Sequence, residues 1–406
     1  MRTFKGSLLV VILALIAMAK AENNVQALQA VSDSTNQFSS AFFQTVVEEN
    51  PGNLIMSPLS AAIVLAMAAY GARGETENQF KKVLRLPSPD TLGTTGYQAL
   101  IDHLNNVREN KLLLANKVFA AERFAVKPSY KDLTETYFRS ASQLVNFGKS
   151  NEAAAIINTW VQQNTNNLIK DIVNPGDVNS MTALVLVNAV YFKGQWKNKF
   201  NPDFTKDMPF YVNKDTVKNV PTMYREGTYR FGDLPDLNAK FIVIPYKGDE
   251  LSMVIILPNE VNGLAEVERK LQNVKLSDVT SRGFDREVQL YLPKFKVESK
   301  VNLNSPLGKM GLTDAFSSRA DFSGIADEKL VISKVVQKAF IEVNEEGSEA
   351  AAATGAIMMK LSLDMPVEFA VTHPFFYTIA ETAIDEESGT LSIVSLFNGR
   401  VVEPKI

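Results

Sequence analysis

The chain has 406 residues, with 42 Lys+Arg against 45 Asp+Glu, two histidines and no cysteine. A net charge of −3 gives no electrostatic case for nucleic acid or an anionic membrane surface. The missing thiols and scarce imidazoles nearly exclude metal sites and thiol chemistry, and a chain this long buries a core without disulfides.

Arg2 and Lys5 precede an apolar run from Leu8 to Met18, and Ala19-Lys20-Ala21 reads as an A-x-A cleavage site. Residues 1–21 are therefore expected to be a secretory signal peptide, too short to span a bilayer. Removing Arg2, Lys5 and Lys20 leaves 39 cations against 45 acids, a net charge of −6. The mature chain is expected to begin at Glu22 and to be secreted, extracellular and monomeric. No Pro/Gly/Ser linker, charge block or internal repeat divides it, so residues 22–406 are expected to form one domain.

Helical periodicity over residues 26–48 breaks at Glu49-Asn50-Pro51-Gly52, a turn. Asn53–Met56 is a short strand, and Ser57 caps a helix with Pro58 at its first position. That helix is apolar nearly all round as far as Gly71, which predicts a buried position. A second, amphipathic helix is predicted over Asn151–Ile172, around Trp160. Thr182–Phe192 is almost continuously apolar and β-branched, the pattern of a strand covered on both faces. Lys240–Tyr246 and Leu251–Leu257 form a hairpin across Gly248-Asp249-Glu250. Glu287–Val297 alternates around Pro293, and Leu330–Asn344 alternates cleanly. Phe375–Glu381 and Thr390–Phe397 form a last hairpin across Glu387-Ser388-Gly389. Helices first and then many strands predict an α+β domain with antiparallel or mixed sheets.

Hydrolase parts are missing. There is no G-x-S-x-G elbow, H-E-x-x-H pair or Gly-rich phosphate loop. A serine triad would need His103, on a polar helix, or His373, in a T-H-P-F context, and both read better as structural or exposed side chains. The chain is not expected to be an enzyme, nor to hold a cofactor or metal.

The unusual stretch is Ile341–Pro366. Glu345, Glu346 and Gly347 are followed by Ser348, Glu349, Ala350, Ala351, Ala352, Ala353, Thr354, Gly355 and Ala356, then by bulky side chains from Ile357 to Leu361. Four alanines favour helix, but the flanking glycines, the β-branched and charged neighbours and the closing proline argue for a segment that is either exposed loop or strand.

Nearly the whole mature chain resembles a serpin, a loop-inserting serine protease inhibitor. The matching motifs are Asn53-Leu-Ile-Met-Ser57-Pro58-Leu-Ser60, Gly71-Ala-Arg-Gly74-Glu-Thr76 and Asn158-Thr-Trp160-Val. They continue with Asn188-Ala-Val-Tyr-Phe-Lys-Gly194-Gln-Trp196 and Phe200, Leu292-Pro293-Lys294-Phe295, and Asp314-Ala-Phe316-Ser with Ala320-Asp-Phe-Ser323-Gly-Ile. The last are His373-Pro374-Phe375 and Phe397-Asn-Gly399-Arg-Val-Val-Glu-Pro404. The hinge EEGSEAAAAT is most similar to that of secreted arthropod inhibitory serpins.

The resemblance implies three β-sheets, eight or nine helices and an exposed reactive-centre loop over about residues 345–366. It makes Leu330–Asn344 a central strand leading into the loop, with Thr182–Phe192 as the neighbour from which it parts. It implies a hinge of Glu345, Gly347, Ser348 and Ala350 to Ala353. If the loop becomes a strand, Ser348, Ala350, Ala352, Thr354, Ala356 and Met358 turn inward, and all but Met358 are small. Counting seventeen residues from the hinge glutamate, 361 − 345 + 1, places the reactive bond at Leu361–Ser362, which suits a chymotrypsin-like protease. Lys360 as donor would suit a trypsin-like one, and Met359 or Leu363 are further alternatives. Glu345 is implied to pair with Lys294 at the top of the sheet, beside Trp196 and Asn188, as a gate. Gln337 stands where many relatives carry a histidine. The lack of a basic cluster between Asp90 and Asn110 argues against glycosaminoglycan as a partner.

Overall fold

The computed structural model describes residues 3–107, 109–347, 366–384 and 391–406. The helices among these residues are α1 (Thr3–Val47), α2 (Pro58–Gly71), α3 (Gly74–Leu84), α4 (Asp90–Asn105), α5 (Pro128–Phe138), α6 (Ser150–Asn164), α7 (Leu264–Leu271), α8 (Leu276–Ser281) and α9 (Asn304–Lys309). The strands are β1 (Leu54–Met56), β2 (Lys111–Ala121), β3 (Gln143–Val145), β4 (Leu184–Lys193), β5 (Lys206–Asn213), β6 (Thr216–Leu234) and β7 (Ala239–Pro245). They continue with β8 (Leu251–Pro258), β9 (Phe284–Pro293), β10 (Phe295–Asn302), β11 (Ile332–Val343), β12 (Val367–Ala370), β13 (Phe375–Ile384) and β14 (Leu391–Val401). No helix among the described residues is long and apolar enough to cross a membrane.

One sheet has the order β10-β11-β4-β2-β3. The other strands form a single ladder, β1-β14-β13-β8-β7-β6-β9-β12, with β5 also on β6. The 19-residue β6 belongs to two sheets in turn. Its first part pairs with β5 and β9, and its last residues, Arg230–Leu234, pair with β7. Divided there, the fold has three sheets and is mixed α and β in one domain. The predicted hairpins are the antiparallel pairs β7–β8 and β13–β14.

The packing follows from side-chain pattern. All of α2 is buried, from Pro58 to Gly71, and Ser57 Oγ accepts from Ser60 N at 3.2 Å as its cap. Such a helix is stable only inside a core, and it lies against β2, β4 and β14. β4 is buried at every residue from Leu184 to Phe192, since strands flank it and side chains cover both faces.

Two expectations fail locally. The helix expected over Asn151–Ile172 ends at Asn164 in α6. Thr165 Oγ1 donates back to Val161 O at 2.7 Å, and Asn166 and Asn167 take φ of 50° and 60°, which the helix cannot continue through. Ile169 and Ile172 remain buried in the same cluster as α6, so apolar spacing persists beyond the helix. The alternating run Glu287–Val297 is two strands, β9 and β10, in different sheets. The break falls at Pro293-Lys294, where Lys294 N donates to Pro221 O at 2.9 Å.

Candidate functional site: a hinge and gate along β11

β11 is the strand from which the site is built. Val335, Gln337, Ala339, Ile341 and Val343 are buried, while Lys338, Phe340 and Glu342 are only partly so, the alternation of a sheet strand. It pairs antiparallel with β10 from Asn302–Val336 to Phe295–Val343. With β4 it pairs in parallel, from Ile332–Leu184 to Phe340–Tyr191, so no strand stands between them over that length.

The pairing with β4 stops below the end of β11, and the segment after β4 takes its place. Trp196 N donates to Glu346 O at 3.1 Å, Trp196 Nε1 to Asn344 O at 2.9 Å, and Phe200 N to Glu345 O at 3.0 Å. The chain reverses there: Asn344 and Gly347 exchange backbone hydrogen bonds of 3.4 and 3.1 Å, the closure of a two-residue hairpin. Gly347 has φ +104°, and a Cβ on it would lie 2.3 Å from Gly194 O and 2.6 Å from Trp196 N. Only glycine fits.

Charge holds the turn. Lys294 Nζ is 2.8 Å from Glu345 Oε2, and Thr205 Oγ1 donates to Glu345 Oε1 at 2.8 Å. Burial of the Glu345 carboxyl opposes ionisation, but the Lys294 ammonium and the Thr205 hydroxyl outweigh it and hold the group below the usual glutamate range. Lys199 pairs with Glu346 at 2.5 Å. Trp196 is 1% exposed and stacks on Tyr246, with ring centroids 4.5 Å apart.

A second cluster lies lower on the same strand. Gln337 Nε2 donates to Ser57 O at 2.8 Å, and its Oε1 accepts from Ser57 N at 2.9 Å. Gln337 Nε2 also donates to Asn188 Oδ1, and Asn188 Nδ2 reaches Ser60 Oγ and Asn116 Oδ1. This cluster ties β11, β4 and β2 to the start of α2. Gln337 and Asn188 are register partners, and Gln337 lies six residues, or about 20 Å at strand rise, before the end of β11 at Val343. Asn188 is thus not beside Lys294 and Trp196, as expected, but in this separate cluster. Parallel pairing at Gln337 sets its position, which motif order along the chain did not reveal.

Thr205, Lys199, Ser57, Ser60 and Asn116 belong to these clusters and were not singled out as site residues. Ser57 carried a signal as a helix cap, and its second partner, 280 residues away, carried none. The hinge residues Ser348 and Ala350 to Ala353, and the candidate bond residues Lys360, Leu361 and Ser362, lie outside the described residues.

Both histidines have structural partners. His103 Nε2 meets the buried Glu381 carboxylate, and His373 Nε2 lies 2.7 Å from Pro258 O. No group of three or more His, Asp or Glu among the described residues is arranged to hold a metal ion.

The chain is similar to known proteins over most of its length. It is 36% identical over 374 residues to antichymotrypsin-2 of Bombyx mori, covering 91% of this chain and 97% of that protein. It is 37% identical over 373 residues to the antitrypsin of Bombyx mori, covering 90% and 94%. Among solved structures, Serpin48 of the insect Tenebrio molitor superposes with a TM-score of 0.83 at 34% identity, over 93% of this chain and 99% of that one. Residues 33–404 match the family described as "Serpin (serine protease inhibitor)". With that match and the two-cluster strand β11 in view, the chain belongs to the serpin family of serine protease inhibitors.

Proposed function

We propose that the chain is a secreted suicide inhibitor of a chymotrypsin-like serine endopeptidase. In this reading it offers Leu361–Ser362 as the reactive bond, and the cleaved loop then enters the sheet as a strand between β11 and β4 while the protease is still acylated. The observation that carries it is the turn at Asn344–Gly347. It sends the chain back antiparallel to β11, and therefore antiparallel to β4 as well, because β11 and β4 are parallel. An inserted strand could bond on both sides.

Extending the hairpin from the Asn344–Gly347 pair sets Val343 opposite Ser348, Ile341 opposite Ala350, Ala339 opposite Ala352, Gln337 opposite Thr354 and Val335 opposite Ala356. All five β11 residues are buried, and opposite residues of an antiparallel pair share a face. The residues this register turns inward are the small, uncharged ones. A dozen added backbone hydrogen bonds at ~0.5–1.5 kcal/mol each give on the order of 10 kcal/mol, comparable with the whole stability of a domain and enough to distort a bound protease.

Mixing the protein with chymotrypsin should give an SDS-stable complex and a C-terminal fragment beginning at Ser362. A loop cut without complex would sink the inhibitory reading and favour a carrier or storage role. The likeness to an antitrypsin favours a second reading, inhibition of a trypsin-like protease through Lys360; its fragment would begin at Leu361. Secretion is read from the protein in medium, whose first residue is expected to be Glu22.

A further inference from the structure

The chain contains two Asn-Gly pairs, Asn262-Gly263 and Asn398-Gly399, and the fold treats them oppositely. Before glycine, an asparagine side chain is open to attack by the next backbone nitrogen, because glycine has no Cβ to obstruct the approach and leaves the backbone free to reach the geometry. Asn262 is exposed in the turn between β8 and α7. The Gly263 amide makes one backbone hydrogen bond there, to Glu260 O at 2.8 Å, which closes a four-residue turn at the surface. Asn398 is 6% exposed and lies inside β14, between β1 and β13. Its Oδ1 accepts from Ser395 Oγ at 2.7 Å and its Nδ2 donates to Ser39 Oγ at 3.0 Å, so both ends of the amide are held.

Attack at Asn262 needs only that the surface hydrogen bond opens, which slows it by about tenfold or less relative to a free peptide. Attack at Asn398 needs β14 to leave the core, a state held by roughly one molecule in a thousand to one in a million. The two sites therefore differ in rate by at least about a hundredfold.

We propose that Asn262 is a site of spontaneous deamidation in the folded protein, that Asn398 is spared, and that the isoaspartate formed loosens the start of α7. The Gly263 nitrogen, its proton taken by hydroxide, attacks Asn262 Cγ. The N–Cγ bond forms, the Cγ–Nδ2 bond breaks, and Nδ2 takes a proton from water and leaves as ammonia. Water then opens the cyclic imide at either carbonyl, giving aspartate or isoaspartate with no change of oxidation state.

Isoaspartate puts an extra backbone carbon directly before Gly263, which caps α7 and whose carbonyl accepts from Val267 N at 3.1 Å. A helix of eight residues is not stable by itself. α7 is held by buried Leu264 and Val267 and by Glu268, whose carboxyl meets Arg400 Nη1 of β14 at 3.0 Å. A displaced helix start pulls against all three. Aspartate keeps the backbone spacing and puts a negative charge at the helix N-terminus, where the macrodipole favours it.

The full chain is incubated at mildly alkaline pH beside a synthetic peptide of residues 248–269. After trypsin digestion of the protein, exchange of amide for acid is read by mass and fragmentation in the peptides 248–269 and 361–400. Conversion at Asn262 is expected within about tenfold of the free-peptide rate and at least about a hundredfold faster than at Asn398. A slower rate at Asn262, or equal rates at the two asparagines, overturns the site. The isoaspartate fraction, isolated by enzymatic methylation of its free carboxyl, is expected to melt about 1–3 °C below fresh protein, while Asn262→Gln aged in parallel is expected not to shift. An unchanged melting temperature, or an equal fall in the variant, overturns the loosening of α7.

Discussion

The rings of Tyr191 on β4 and Phe340 on β11 are stacked, with centroids 5.9 Å apart and planes 4° from parallel. They are register partners at the last pair that β11 and β4 make, and both pack with the cluster under α6. In the inserted register Ala351 falls opposite Phe340, so the two rings must part before the loop can pass. An aromatic pair of this kind is worth ~0.5–1.5 kcal/mol beyond its buried area. Phe340→Leu should therefore speed annealing of a 348–358 peptide by up to about tenfold, followed by native gel shift. A rate equal to that of the unaltered protein would mean the stack does not hold the seam.

Ser348→Arg should turn inhibitor into substrate. Its partner in the inserted strand, Val343, is 2% exposed, so the guanidinium would be buried unpaired at a cost of several kcal/mol. Titration against chymotrypsin should require about tenfold more inhibitor per enzyme trapped. The control is Glu349→Arg, on the opposite parity, which should need no such excess. If Ser348→Arg inhibits normally, the face assignment is wrong.

The Glu345 anchor should fail on acidification. Its folded pKa lies below the ordinary 4.5, so its contribution is present above that value and is lost as pH falls through the folded one. Trp196 donates to the hinge backbone beside it, so its fluorescence should change below about pH 4.5, the ordinary value of the glutamate. Glu345→Gln should show the changed signal already at neutral pH. An acid transition that persists unaltered in the variant would assign it to another carboxyl.

His103 should work in the other direction. The hydrogen bond that His103 donates to the buried Glu381 carboxylate raises its pKa, with partial burial opposing and the Glu381 and Glu250 charges assisting. A raised histidine pKa gives stability that is complete below about pH 6.5 and is lost as pH rises through the folded value. With the ring nearly half exposed, the pair is worth under ~1 kcal/mol after solvent screening. The melting temperature should fall by about 1–2 °C between pH 6 and pH 8.5, and His103→Gln should flatten that difference by differential scanning calorimetry. An equal fall in the variant would exclude the pair.

Much of the architecture was legible because local chemistry decides it. Two-residue alternation marked β11, unbroken β-branched residues marked the doubly covered β4, and Ser57-Pro58 marked the start of α2. Legibility failed where apolar spacing outlasts the element that carries it, or where a distant partner decides. Asn164 ends α6 because of Thr165 and two left-handed asparagines, although buried Ile169 and Ile172 keep the apolar spacing going. The alternation across Pro293 gave no sign that Lys294 is the corner between two sheets.

The sequence by itself determined that a strand runs into a stretch of small residues, since period and side-chain size are properties of the chain alone. It also supplied the Glu345 and Lys294 that meet at the hinge. Tertiary structure alone decided that the residues expected to form a gate fall into two separate clusters, one at the turn beyond β11 built on Lys294, Thr205 and Trp196 and the other lower on β11 built on Gln337, Asn188 and Ser57. Which residues share a cluster depends on the parallel register of β11 with β4 and on a helix start 280 residues away, and register is a property of two strands together.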